Sequence, residues 1–182
     1  MASIICPEDC EQVLPSFKFD NCAPEINNSQ IHKVYFAKGN APAFTDVSLA
    51  TEWAARLGND STNEEHDIRV LTGIGSIPKA TPSVVNISGR RKKTTSRAYA
   101  LTFRVDETNQ DNHDAMRNIQ CGGIYTIWYE TIGGLLFGGN EGKQSSIDAG
   151  GSHGEGDDDI INHEYLIEWN GLHDPERVVS PL

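Results

Sequence analysis

Four cysteines and six histidines are the side chains of this sequence best suited to metal binding or nucleophilic chemistry. Cys6-Pro-Glu-Asp-Cys10 has a C-x3-C spacing, looser than the C-x2-C knuckle with which two thiolates meet one tetrahedral zinc ion. Cys22 and His32 could complete four ligands, but their spacing matches no finger pattern. Met1-Ala2-Ser3-Ile4-Ile5-Cys6 has neither a basic n-region nor a full apolar h-region, so no secretory leader is expected and the thiols are expected to stay reduced. Cys–His catalysis would need Cys121 beside His113 or His163, and nothing in the spacing puts them there. Cys121 follows an expected helix and is expected to be buried.

A second set, His153, Glu155, Asp157, Asp158, Asp159 and His163, combines carboxylates suited to calcium with imidazoles suited to zinc or nickel. It lacks the alternating acidic pattern of a calcium loop and reads more simply as a solvated acidic segment. His153-Gly154-Glu155 matches the H-x-E of zinc deaminases only as a fragment, with no P-C-x-x-C after it. Gly138-Gly139-Asn140-Glu141-Gly142-Lys143-Gln144 is one residue too short between its glycines for a phosphate loop. Gln144 stands where that loop needs a hydroxyl for magnesium, and Glu141 would repel phosphate. No G-x-S-x-G nucleophile elbow is present. Three Asn-x-Ser matches, at Asn27, Asn59 and Asn86, carry little information without secretion. The expectation is a protein that is not an enzyme and needs no cofactor or metal.

Charge gives a more specific signal. The 182 residues hold 15 Lys and Arg against 26 Asp and Glu, a formal net charge of −11, which argues against tight duplex DNA binding. Arg90, Arg91, Lys92, Lys93 and Arg97 nevertheless lie within eight residues. From Glu141 to Glu176 there are ten acidic residues and only one basic one, Lys143. Each segment can be a solvated surface, but cations and anions on separate surfaces of one chain can also pair between copies.

The elements that must carry these groups read mainly as strands. Residues 1–30 hold three prolines and three cysteines and read as an N-terminal arm. Ile31–Ala37 is the first strand. A short helix over Leu49–Leu57 follows, capped by Asp46 or Ser48 and stopped at Gly58, with Leu49, Trp53 and Leu57 on one face. Strands are expected at Ile68–Ile77 and Ser83–Ser88. In Ala98–Val105, Tyr99, Leu101, Phe103 and Val105 alternate with polar or small residues, as in a half-buried strand. Ser83–Ser88 and Arg97–Val105 thus form a long hairpin with the basic cluster at its tip.

Asn109–Gln120 is a helix ended by Gly122-Gly123. Ile124–Thr131 and Leu135–Phe137 form a strand pair across Gly133-Gly134, residues 138–159 read as a long loop rich in Gly, Ser and Asp, and Ile160–Trp169 is the last strand. Residues 171–182 are a C-terminal tail, and Trp53, Trp128 and Trp169 are expected in the core. The fold class expected is mainly β (α+β), one domain over 1–182. Its form would be a two-sheet sandwich or barrel with one packed helix, a long projecting hairpin and extended arms.

The run from Ser83 to Gly139 resembles the core of bacteriophage tail tube proteins. The likeness lies in the order of its elements: a charged-tip hairpin, the strand Tyr99-Ala100-Leu101-Thr102-Phe103-Arg104-Val105, the helix and the strand pair Ile124–Thr131 with Leu135–Gly139. It covers about a third of the chain and involves no invariant motif.

The resemblance implies a virion protein, assembled in the host cytoplasm. Its copies would form rings, typically hexameric, that stack into a hollow tail tube and contact other tail proteins. DNA would pass through the lumen without specific binding. It also implies inter-subunit contacts through Arg90, Arg91, Lys92, Lys93 and Arg97 against acidic surface, with Asp157, Asp158 and Asp159 as candidates. The 22-residue loop 138–159 is long for a plain tube subunit and leaves room for a terminator, a head–tail connector or a capsid-decoration protein. A metal-binding hydrolase or carbohydrate-binding module is the reading from a different class.

Overall fold

A computed structural model describes residues 22–58, 67–88, 91–155 and 160–182, with the side chain of Arg91 outside the description. Cys6, Cys10, Arg90, Asp157, Asp158 and Asp159 lie outside the described residues.

The elements run β1 (Ile31–Lys38), α1 (Ala50–Arg56), β2 (Ile68–Ser76), β3 (Thr81–Ile87), β4 (Arg91–Val105), α2 (Gln110–Gln120), β5 (Ile124–Thr131), β6 (Leu135–Phe137), β7 (Lys143–Ser152), β8 (Asn162–Gly171) and β9 (Arg177–Val179). The chain is mainly β. Six antiparallel strands close into a barrel in the order β1-β2-β4-β8-β7-β5, and the β1–β5 pairing, from Ile31 opposite Thr131 to Lys38 opposite Tyr125, joins the ends. Full closure leaves these six strands without an open edge along the ring, which removes the template for uncontrolled pairing there. Strand β3 pairs with β4 as an extra strand off the ring, while β6 pairs with β5 and β9 with β6.

Alternation decides what fills the barrel. Val34, Leu71, Leu101, Phe103, Ile127, Tyr129, Ile147, Ala149, Tyr165, Ile167 and Trp169 come from all six strands and pack as one cluster. Only the inner face can gather side chains from every strand of a closed ring, so this cluster is the barrel interior. At one end, α2 adds Met116 and Ile119. Its N-cap is Asn109, whose side chain accepts from the Asn112 backbone N–H at 2.8 Å, satisfying a donor the helix leaves orphaned.

A second, outer cluster gathers Tyr35, Phe44, Val47, Trp53, Trp128 and Leu136. Phe44 stacks on Trp53 at 4.5 Å, and Trp128 meets both edge-on at 5.3 and 5.8 Å. Such offset and edge-to-face contacts suit aromatic quadrupoles. Two helices therefore contribute to packing, where one was expected. In α1 the face is narrower than the spacing suggested, because Trp53 is fully buried while Leu49 is exposed. No side chain caps α1: Asp46 instead accepts from the Ser48 backbone N–H in a local turn.

Three further expectations are corrected. The expected loop 138–159 contains β7, whose Ser145, Ile147 and Ala149 face inward while Gln144, Ser146 and Asp148 face out. Its small and polar residues hide a strand that long-range pairing with β5 and β8 stabilises. Cys121 is exposed, because it caps α2 just past the last buried position, Ile119. The C-terminal tail is partly ordered into β9, paired with β6 from Leu135 opposite Val179 to Phe137 opposite Arg177. Trp53, Trp128 and Trp169 are buried as expected.

Candidate functional site

Strand β4 is 15 residues long, and its two halves do different work. From Arg97 to Val105 it pairs with β8, and at Thr102–Arg104 it also pairs with β2. From Arg91 to Ser96 its pairing partner is β3. Among the described residues strand β3 has β4 as its only neighbour, and it is exposed at every one of its seven positions. With Arg91–Ser96 it forms a two-stranded ribbon whose outer edges are unpaired among the described residues. Such a ribbon is at best marginally stable in water by itself.

The register sorts the side chains of the ribbon. Val85 lies opposite Lys93 and Ile87 opposite Arg91, so these positions share one face, while Val84 opposite Thr94 and Asn86 opposite Lys92 share the other. Val84, Val85 and Ile87 are 47%, 52% and 42% exposed, apolar groups left in water where a partner could cover them. Lys92 and Lys93 are exposed beside them. Arg97 stands at the base of the ribbon, its Nε donating to the Leu172 carbonyl at 3.3 Å.

The acidic stretch resolves into a wall. Asp148 on β7 and Glu164 and Glu168 on β8 are exposed, alternating with the buried Ile147, Ala149, His163, Tyr165, Ile167 and Trp169. The β7–β8 register places Glu168 opposite Ser146, Leu166 opposite Asp148 and Glu164 opposite Gly150, so three carboxylates lie on the outer face of two adjacent strands. An open groove of about 810 Å³ runs across β2, β4, β8 and β7, and Asp148, Glu164, Arg104, Ser76, Thr102 and Gly150 are among its lining residues. Asp148, Glu164 and Glu168 were not singled out from sequence. Glu164 and Glu168 lie in the expected strand Ile160–Trp169, whereas Asp148 falls in the expected loop, where its alternation with Ile147 and Ala149 is the local strand signal.

Of the other candidates, His153 and Glu155 are exposed after β7, and His163 is buried within β8. Among the described residues no three His, Cys, Asp or Glu side chains already surround one point as a metal site. Gly138–Gly142 is a tight connection under Trp128, leading into a strand where a phosphate loop would lead into a helix. Among the described residues no helix is long and apolar enough to cross a membrane.

One buried polar group lies beside the outer aromatic cluster. Glu130 is 4% exposed and accepts from Tyr35 Oη at 2.6 Å and Lys33 Nζ at 3.4 Å. Burial pushes its carboxyl up, but hydrogen bonds from Tyr35 and Ser180 and the charges of Lys33 and His32 hold it below the ordinary carboxylate value. Burial and the same carboxylate push the Tyr35 hydroxyl up. Satisfied on several sides, this group ties the C-terminal segment to the barrel wall and has the character of a structural lock.

No protein-family model matches the chain, and no curated protein matches its sequence. Function has to be argued from the barrel, the ribbon and the acidic wall.

Proposed function

We propose that the chain is a structural subunit of a bacteriophage virion, a tail tube protein. Its copies close into rings, hexameric in number, that stack around a channel for DNA. The observation that carries this reading is the β3–β4 ribbon, unpaired on both edges, exposed on both faces and bearing Val84, Val85, Ile87, Lys92 and Lys93. A monomeric protein gains nothing from such an element, whereas a subunit that must grip a neighbour needs one.

In the assembly the ribbon projects from its own barrel and seats on the wall of a neighbouring copy. Its apolar side chains leave water there, and its cations meet Asp148, Glu164 and Glu168, with Asp157, Asp158 and Asp159 adding to the acidic side. Opposite charge on ribbon and wall favours the head-to-tail contact that builds rings and tubes and disfavours ribbon-to-ribbon pairing. An acidic subunit surface also leaves a phosphate backbone free to slide past.

Charge exchange tests the contact. Reversing Arg90, Arg91, Lys92 and Lys93 to Glu leaves the circular dichroism unchanged but abolishes rings in size-exclusion chromatography and negative-stain microscopy. Adding Asp148→Lys, Glu164→Lys and Glu168→Lys to the same chain restores them. Assembly that survives the first set of substitutions unchanged overturns the ribbon contact.

A further inference from the structure

Among the described residues, His32 Nδ1, Asn162 Oδ1 and His163 Nδ1 are buried without a hydrogen-bond partner, and His163 is the most deeply placed of the three. His163 is 2% exposed, and its Nδ1 has no hydrogen-bond partner. A buried polar atom left unpaired costs about 1–3 kcal/mol, so a native structure that keeps one calls for a missing partner such as water or an ion.

Three observations say which partner fits. The His163 and His113 ring centres are 5.7 Å apart, with His113 exposed on the first half of α2. Two imidazoles that bind one ion at roughly 2.0–2.1 Å have ring centres roughly 5–6 Å apart, so this separation leaves room for a shared ion. In the β7–β8 register His163 lies opposite Gly151, and a side chain there would share its face. His153 adjoins that position, its Nε2 lying 3.7 Å from where a Cβ on Gly151 would be. Three imidazoles thus approach the same end of the barrel from β8, α2 and the end of β7.

We propose that His163 and His113 bind a divalent transition-metal ion between them, and that the exposed His153 swings in as a third ligand. The rings do not yet converge on one point. His163 is held by the barrel, while His113 and His153 are exposed. Nitrogen ligands of this kind select zinc, nickel or copper over calcium or magnesium. The ion would fasten α2, with Met116 and Ile119, over the end of the barrel. The set replaces the acidic loop that the sequence suggested, since Glu155 and the aspartates play no part in it.

Cobalt(II) absorption and zinc-dependent melting of tag-free protein test the site. The expected result is one cobalt per chain with a visible d–d spectrum and no thiolate charge-transfer band. Zinc should also raise Tm by several degrees. His113→Gln should weaken binding at least tenfold and remove the Tm rise while leaving the circular dichroism intact, and His153→Gln should weaken binding several-fold. No stoichiometric binding by the wild type would mean that His163 is satisfied by water only and would overturn the proposal. Equal binding by His113→Gln, or a thiolate band placing the metal on cysteines, would overturn it as well.

Discussion

Val85 lies directly opposite Lys93 across the β3–β4 ribbon, and among the described residues neither has a third strand beside it. An aliphatic group and a cation face water together on a two-stranded element. Edge lysines discourage indiscriminate strand addition, while the apolar partner favours burial against one matched surface. The arrangement is conditional: it suits a chain that is to be covered by a chosen neighbour.

Hydrogen exchange reads this condition directly. In dilute protein the outward amides of β3 and of Arg91–Ser96 should exchange far faster than those of Leu101–Val105, which β8 pairs within the barrel. On assembly the ribbon amides should slow by at least about a hundredfold, an apparent protection of roughly 2.8 kcal/mol at 1.4 kcal/mol per decade. Ribbon protection that is the same at every protein concentration contradicts a contact made between copies.

Glu130 gives a pH dependence with a definite sign. Its carboxyl titrates below its ordinary value in the folded chain, so its stabilising effect is present above the unfolded value of about 4.3 and is lost as pH falls through the folded value. Urea unfolding followed from pH 7 to pH 3 should show stability falling in that window. The fall should be smaller in Glu130→Gln. Tyr35→Phe, which removes the 2.6 Å donor to a buried charge, should cost about 1.5–3 kcal/mol at pH 7. A Tyr35→Phe protein as stable as the wild type would show that the hydroxyl contributes nothing to the lock.

Gly138 and Trp128 form a second close relationship. Gly138 has φ +138°, and a Cβ there would run into the Trp128 ring, whose Nε1 donates to the Gly139 carbonyl at 2.9 Å. Gly138→Ala combines an unfavourable backbone with overpacking, so a loss of about 2–4 kcal/mol is expected in denaturant unfolding. Trp128→Ala should cost about 3–5 kcal/mol, since it empties the centre of the outer aromatic cluster. A Gly138→Ala loss under about 0.5 kcal/mol would mean that the connection relaxes freely.

Much of the strand pattern was legible because burial and alternation coincide. Tyr99, Leu101, Phe103 and Val105 are all buried as their spacing required, and Ile124–Thr131 and Leu135–Phe137 have the bounds that their β-branched and aromatic residues indicated. The helix over 110–120 follows from its acidic start and its glycine stop.

Strand β7 was hidden because glycine, serine and aspartate have weak strand preference. Ser145, Ile147 and Ala149 are held in place by β5 and β8, which no local window contains. Ring closure was also out of reach, since Val34 meets Tyr129 across 95 positions of chain and the register depends on every strand between. The cationic ribbon was visible as a cluster in sequence. The acidic wall opposite in charge was not, because Asp148, Glu164 and Glu168 share a face only once β7 and β8 pair.

Cryo-electron microscopy of the concentrated protein would show the contact itself. Rings of barrels that stack into tubes are expected, with Val84, Val85 and Ile87 buried against a neighbouring copy and Lys92 and Lys93 within ion-pair distance of its acidic wall. Single barrels at every concentration, with the β3–β4 ribbon still uncovered, would contradict it.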